Sequence, residues 1–301
     1  MGYLSQRKRQ KNIYELLTAS LLILAVCCLL LCFFKEFTLT LFINKWLFQI
    51  YLYTLVMIVL ALSFYFWKQA IGFIVIAFFL FLTIGAGSNL FFNVQTSGLQ
   101  TIRLFYQPKV INFHHSDKQI NRIKPDIAAL ITRPNIEIKN LLSDVHFPLL
   151  SEDGHIIMTP HRVSDSGELM LSPQGRAGFV QLNFGGTKLI FISLDLLSPS
   201  YPEKQIALKN LEQFINAQNI PVIIVGRFGM PAWSFDFMRF LEKTGLEVKN
   251  HILLSNGETL FNPFVAPSLM VLAYKDFGIR DISFLPAKGN GAHPLFIEMN
   301  Y

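Results

Sequence analysis

Pro221-Val-Ile-Ile-Val-Gly-Arg-Phe-Gly-Met-Pro-Ala-Trp-Ser-Phe-Asp-Phe-Met-Arg-Phe-Leu-Glu-Lys-Thr-Gly245 is the stretch that decides the fold. Val222 to Val225 are four consecutive β-branched residues, the composition of a short strand buried on both faces. Gly226 and Gly229 break the run, and a loop follows that contains Pro231. Ser234 is placed to cap a helix in which Phe237, Phe240 and Leu241 recur at helical spacing, with Gly245 just past its end. A buried strand that ends in a glycine-flanked tetrapeptide is where α/β-type sheets put chemistry. Here the tetrapeptide is Gly226-Arg227-Phe228-Gly229.

Working outward, apolarity and charge are unevenly spread along the 301 residues. Three long hydrophobic runs occupy residues 1–92, and the remainder reads as an ordinary globular domain, long enough for a large single core. Seven of the 26 basic residues and two of the 20 acidic ones precede Asn93. The globular part is therefore close to neutral, at 19 basic against 18 acidic residues. The electrostatic footprint of a nucleic-acid binder is missing, and nucleic acid is not an expected partner. Cys27, Cys28 and Cys32 all sit in the first hydrophobic run. The globular part thus has no disulfide framework, no thiol nucleophile and no cysteine-based zinc site.

Residues 1–12 carry Arg7, Lys8, Arg9 and Lys11 with no acid, and read as a cytoplasmic basic tail. Leu16 to Phe34 is about the length that crosses a bilayer. It is too long for the h-region of a signal peptide, and no small-x-small cleavage site closes it. Leu47 to Trp67 forms a second run with aromatic residues toward its ends, and Ile71 to Phe92 a third, separated by Lys68-Gln69-Ala70. Residues 13–92 are thus expected to be a three-helix transmembrane anchor in the inner membrane. With the basic cluster inside, residues 101–301 are expected in the periplasm or outside the cell, after a linker at 93–100. The lipid bilayer is an expected partner, as are other membrane or envelope proteins.

In the globular part, strands are expected at Ile102–Tyr106, Ile127–Ile131, His155–Met158, Met270–Ala273, Ile282–Leu285 and Leu295–Met299. Phe179–Phe184 and Lys188–Leu194 flank Gly185-Gly186, a hairpin signature. Helices are expected at Gln119–Lys124 and Glu203–Asn216, the latter with Ile206, Leu208, Leu211, Phe214 and Ile215 as its apolar set. Residues 133–176 read as loop-rich, with polar turns at Ser151–Gly154 and Ser164–Gly167. Many strands, few helices and mixed connections imply an α+β sandwich.

The order of these landmarks resembles the endonuclease/exonuclease/phosphatase family. The resemblance rests on Thr101-Ile-Arg-Leu-Phe-Tyr-Gln107, Pro125-Asp-Ile-Ala-Ala-Leu-Ile-Thr132, Phe191-Ile-Ser-Leu-Asp-Leu-Leu-Ser-Pro199, Val222-Ile-Ile-Val-Gly-Arg-Phe-Gly229 and Gly291-Ala-His-Pro-Leu295. The fourth is similar to the family's "vilaGDFN" and the fifth to its terminal "SDHxP". Three membrane spans before such a domain resemble the teicoplanin-resistance-type membrane phosphatases. The resemblance implies a four-layer α/β sandwich of the DNase I-like kind over roughly Thr101–Tyr301. It also implies a metal-dependent phosphoesterase site, in which carboxylates hold Mg²⁺ or Mn²⁺.

The residues that would do that chemistry are changed. The family's Glu falls on Thr132, its first Asn on Gln107 and its first His on Asp195. The Asp and Asn of GDFN fall on Arg227 and Gly229, the penultimate Asp falls between Leu269 and Val271, and the Asp before the final His is Ala292. His293 alone keeps its family identity. A permanent cation at 227 repels Mg²⁺ instead of binding it, so the metal site is expected to be lost and no cofactor is expected. Gln107, Thr132, Asp195, Arg227, Gly229 and His293 are therefore vestigial-site candidates. Arg227 is expected either to pair with Asp195 or to hold an anion. The function implied is a catalytically silent binding or assembly module at the cell envelope. The alternative is a diverged hydrolase of a lipid-linked phosphate or pyrophosphate. His114, His115, Asp117, His146, Asp153, His155 and His161 lack ligand spacing, and Ser164, Ser166 and Ser172 lack a nucleophile-elbow context.

Overall fold

The computed structural model describes residues 2–33, 38–63, 66–86, 100–111, 113–132, 147–150, 154–196, 200–249, 269–287 and 292–301. The expected linker before Gln100, the turn residues 151–153, and His146 lie outside the described residues. Two compact units emerge, one of helices near the N-terminus and one of strands and helices from there to Tyr301.

The helical unit consists of α1 (Gly2–Phe33), α2 (Thr38–Ser63) and α3 (Trp67–Ala86). α1 runs through the basic segment. Lys68-Gln69-Ala70, which separates the second and third apolar runs, lies in the first turn of α3; Gln69 and Ala70 are buried there, and the Ala70 N–H donates to the Phe66 carbonyl. Leu17, Leu24, Met57, Ala61, Ala70 and Phe73 form the interior of this unit. Many large apolar side chains face outward, among them Leu16, Leu22, Ile23, Val59 and Phe78. Among the described residues, no helix is long and apolar enough to cross a membrane.

The second unit is a mixed α+β sandwich. Its strands are β1 (Thr101–Gln107), β2 (Ile127–Ile131), β3 (Phe147–Leu150), β4 (His155–Thr159), β5 (Val163–Ser172), β6 (Gly175–Phe184), β7 (Thr187–Asp195), β8 (Val222–Arg227), β9 (Glu247–Val248), β10 (Leu269–Ala273), β11 (Gly278–Phe284) and β12 (Leu295–Asn300). Its helices are α4 (Phe113–Ile123), α5 (Tyr201–Asn216) and α6 (Phe235–Thr244). One sheet has the order β11-β12-β1-β2-β4-β3 and the other β5-β6-β7-β8-β10-β9. Alternate residues of both sheets, such as Leu104, Ala129, Ile297, Phe191, Val225 and Val271, meet in one apolar layer between them. The outer face of the first sheet packs on α4 through Phe105, Phe113, Ile120 and Leu130. Phe179 on the second sheet packs against Phe214 of α5, with ring centroids 5.3 Å apart.

The deciding stretch folds as read, with β8 fully buried and α6 after it. Gly245 has φ 68° and its N–H donates to the Leu241 carbonyl at 2.9 Å, the left-handed stop that a glycine provides. Ser234 stands at the cap position, but its buried hydroxyl makes no hydrogen bond. Gly185 and Gly186 both have positive φ, as the tight turn between β6 and β7 requires. Ile206, expected inside, is 49% exposed on α5. The largest departure is β5. Ser164–Gly167, expected as a turn, lies within a ten-residue edge strand whose first half is mostly exposed. An edge strand satisfies its ladder on one side only and needs no apolar alternation.

Candidate functional site

The candidate residues come from different strands that end together. β1 runs parallel to β2 with Gln107 opposite Leu130, and β12 enters antiparallel with Leu295 opposite Tyr106. In the other sheet, β7 runs parallel to β8 with Asp195 opposite Arg227. The Tyr106 hydroxyl donates to the Leu194 carbonyl at 3.1 Å, which ties the end of β1 to the end of β7. The ends of β1, β2, β7 and β8 and the start of β12 therefore lie together at one end of the sandwich, which carries Gln107, Thr132, Asp195 and Arg227.

Of the six candidates, two meet side chain to side chain. Parallel register places Asp195 and Arg227 on the same face of the second sheet, two residues beyond the core positions Ser193 and Val225. Arg227 Nε donates to Asp195 Oδ1 at 3.1 Å, and its Nη2 donates to Asp195 Oδ2. Both carboxylate oxygens are thus taken by one guanidinium fork, the geometry that fits arginine and not lysine. The Arg227 side chain is 8% exposed and that of Asp195 19%. A backbone link reinforces the pair, since the Leu196 N–H donates to the Arg227 carbonyl at 2.6 Å. Arg176, at the start of β6, is the register partner of Asp195 on its other side and reaches Glu168 at 3.4 Å.

The other four candidates are held by local partners. The Gln107 amide oxygen accepts from the Ser116 hydroxyl of α4 at 2.8 Å, so this fully buried side chain engages the outer layer, away from Asp195. The Thr132 N–H donates to the Gly154 carbonyl at 2.9 Å. Gly229 has φ 65°, and its carbonyl accepts from Lys204 Nζ at 3.0 Å. His293 Nδ1 lies 3.0 Å from the Leu285 carbonyl. A carbonyl only accepts, so the proton of this ring sits on Nδ1.

Tyr106 and Ser193 went unmarked in the sequence, and His155, set aside there for want of ligand spacing, joins them. Tyr106 is fully buried beneath the Arg227–Asp195 pair, and burial, with the Asp195 carboxylate adding to it, pushes its phenol far above the ordinary tyrosine value. The Arg227 charge opposes that shift only in part. Ser193 and His155 form a buried polar contact one layer deeper, with Nδ1 3.4 Å from Oγ. The alternation of apolar residues along 189–195 carried a signal for Ser193, because it shares a face with Phe191 and Asp195. Nothing local announced Tyr106.

The described histidines are scattered. His114 and His115 tilt against each other on α4, and His161 pairs with Asp126 at 3.2 Å at the opposite end of the sandwich. Among the described residues, no three His, Cys, Asp or Glu side chains gather as metal ligands do.

No protein-family profile and no curated protein matches the sequence. Solved structures do match the fold. A mannosyl-6-phosphatase from Bacteroides thetaiotaomicron VPI-5482 aligns over 66% of this chain and 100% of its own, at 10% identity and a TM-score of 0.50. An endonuclease/exonuclease/phosphatase from Bacteroides vulgatus covers 67% of this chain and 99% of its own, at 7% identity and a TM-score of 0.54. The human Nocturnin catalytic domain, solved with a bound sulfate anion, covers 67% and 96% at 15% identity, with a TM-score of 0.51. At such identities the likeness is one of architecture: two thirds of this chain has the fold of endonuclease/exonuclease/phosphatase proteins.

Proposed function

We propose that the chain is a membrane-anchored, catalytically silent protein of this fold, whose residues 101–301 serve as a binding or assembly module outside the cytoplasm. The observation that carries the reading is the engagement of both Asp195 oxygens by Arg227. A divalent cation of the Mg²⁺ class needs free carboxylate oxygens. At this end of the sandwich the one carboxylate among the six candidates is neutralised by a guanidinium, and Gln107 and Thr132 offer only neutral groups. These residues do not fit Mg²⁺ or Mn²⁺, so no hydrolytic step is derived through a metal. The Nδ1 proton of His293, given to the Leu285 carbonyl, is consistent with a structural role for that ring.

Membrane anchoring is supported by the three apolar runs of the sequence and by the outward apolar side chains of α1, α2 and α3. Side chains such as Leu22 and Val59, exposed at 67% and 62%, are natural in lipid and unfavourable in water. The near-neutral charge of residues 93–301 supports a protein or lipid partner over nucleic acid.

The test is titration of Mg²⁺ and Mn²⁺ into the purified full-length protein. Hydrolysis of a phosphodiester, a phosphomonoester and a lipid pyrophosphate is followed in the same samples. No saturable metal binding and no turnover above buffer is the expected result. Metal-dependent turnover that His293→Ala abolishes would overturn the reading and favour a diverged hydrolase.

A further inference from the structure

We propose that the basic end of the helical unit is a docking site for the headgroups of anionic phospholipids. The inference rests on the membrane-anchored reading above and adds the lipid class. α1 is continuous from Gly2 to Phe33, so Arg7, Lys8, Arg9 and Lys11 ride on a helix.

The fold adds a fifth cation. Tyr14 of α1 packs edge-on against Phe66, with ring centroids 5.8 Å apart, and Gly72 of α3 makes room for Leu21. Contacts advancing together along both helices mean that α1 and α3 run in the same direction. Lys68, in the first turn of α3, therefore stands at the same end as the α1 cations. Arg9, Lys11 and Lys68 are exposed. Among the described residues of this end the single carboxylate is Glu15, which lies 3.9 Å from Lys11. Two amphipathic rings mark the same level, Trp67 at 59% exposure and Tyr14 at 49%.

Along α1 the chemistry thus passes from apolar at Leu16 and beyond, to aromatic at Tyr14 and Trp67, to cationic at Lys11 and Arg9. At 1.5 Å rise per residue, Lys11 and Arg9 lie about 5 and 8 Å beyond Tyr14. That matches the depth of a headgroup layer, about 5–8 Å on each side of the hydrocarbon. The level of the rings separates a lipid surface from an acidic protein segment. Interfacial Trp and Tyr belong at the headgroup boundary, whereas an acidic segment requires only the cations. Attraction of such cations to anionic lipid amounts to about fivefold in binding per charge.

The full-length chain carrying Trp46→Phe and Trp233→Phe leaves Trp67 as its fluorophore. It is reconstituted in equimolar phosphatidylcholine and phosphatidylglycerol vesicles in which one lipid or the other is brominated. The expected result is several-fold stronger quenching of Trp67 by brominated phosphatidylglycerol. That preference should be lost when Arg7, Lys8, Arg9, Lys11 and Lys68 are all changed to Gln. Equal quenching by the two lipids, or a preference that survives those five substitutions, overturns the inference while leaving the membrane anchor intact. A preference erased by soluble polyglutamate at matched charge overturns it in favour of an acidic protein partner. Quenching by neither lipid overturns the membrane-anchored reading itself.

Discussion

Asp195 and Arg227 occupy directly opposed positions on the parallel neighbours β7 and β8, and Arg227 Nε donates to Asp195 Oδ1 at 3.1 Å. The pair is local in the sheet but separated by 32 residues of sequence, which include α5. Both groups are largely removed from water, so each depends on the other. An arginine cannot shed its proton to escape burial, and the guanidinium fork engages both oxygens of the carboxylate.

Truncating either partner is therefore expected to cost more than truncating both. Arg227→Ala strands a carboxylate that is 19% exposed, and a loss of about 3 kcal/mol is expected. The double change Asp195→Leu with Arg227→Met should cost clearly less than either single truncation, because no charge is left unpaired. Urea unfolding of the wild type, the single variants Asp195→Leu and Arg227→Met and the double variant, with backbone exchange in β7 and β8 as the readout, measures the coupling. If the double variant loses the sum of the two single losses, the pair does not act as a unit.

Gly226 should tolerate no side chain. A Cβ there would fall on the Leu194 carbonyl oxygen of the adjacent strand, so β7 and β8 would be driven apart beside the ion pair. Gly226→Ala is expected to cost about 3 kcal/mol, at the upper end of overpacking penalties. Gly186→Ala provides the contrast, since its Cβ would enter open space and pay only for a positive φ, about 1 kcal/mol. Comparable unfolding midpoints for the two variants would show that the strand spacing at Gly226 is soft.

His293 offers a sharper distinction between structure and chemistry. Its Nδ1–H bond to the Leu285 carbonyl ties the residues before β12 to those after β11, together with the bond from the Leu285 N–H to the Pro294 carbonyl at 2.8 Å. His293→Ala should cost about 1 kcal/mol of stability. A loss several times larger, read from the same urea curves, would mean the ring does more than make that tie.

These expectations show which parts of the molecule were legible in the sequence. Val222–Val225 and Gly185-Gly186 announced themselves because burial on both faces and positive φ restrict composition strongly. β5 did not, because an exposed edge strand selects for polar residues, and Ser164 to Gly167 carry the same letters as a turn. The pairing of Arg227 with Asp195 could be posed as a question from the sequence. Its geometry follows from register, which a run of letters does not specify. Tyr106 was hidden for a related reason: its partner Leu194 lies 88 residues away on the other sheet, and only the stacking of the two sheets brings them together. Gln107 shows the opposite failure. Its position at the end of β1 was read correctly, yet the alternation of the strand turns its side chain outward to Ser116.

The buried phenol of Tyr106 gives the fold an alkaline limit. Its folded value is raised, first by burial and then by the Asp195 carboxylate, while the unfolded chain titrates near the ordinary value of about 10. Tyr201, half-buried, is raised in the same direction by burial and by its hydrogen bond to Asp236. A group raised in the folded state stabilises fully below the unfolded value, and that contribution fades as pH climbs past it toward the folded value. Stability should accordingly be insensitive to these two rings below about pH 9 and fall steadily above pH 10. Tyr106→Phe removes one of the two, together with the hydroxyl bond to the Leu194 carbonyl. It should flatten the alkaline decline while lowering stability at neutral pH by about 1 kcal/mol. Phenolate absorbance near 295 nm, recorded beside the unfolding curve, reports both. Ionisation of Tyr106 in the folded state near pH 10, seen as absorbance that rises before any unfolding and is missing in the Phe variant, would show that this ring is open to water.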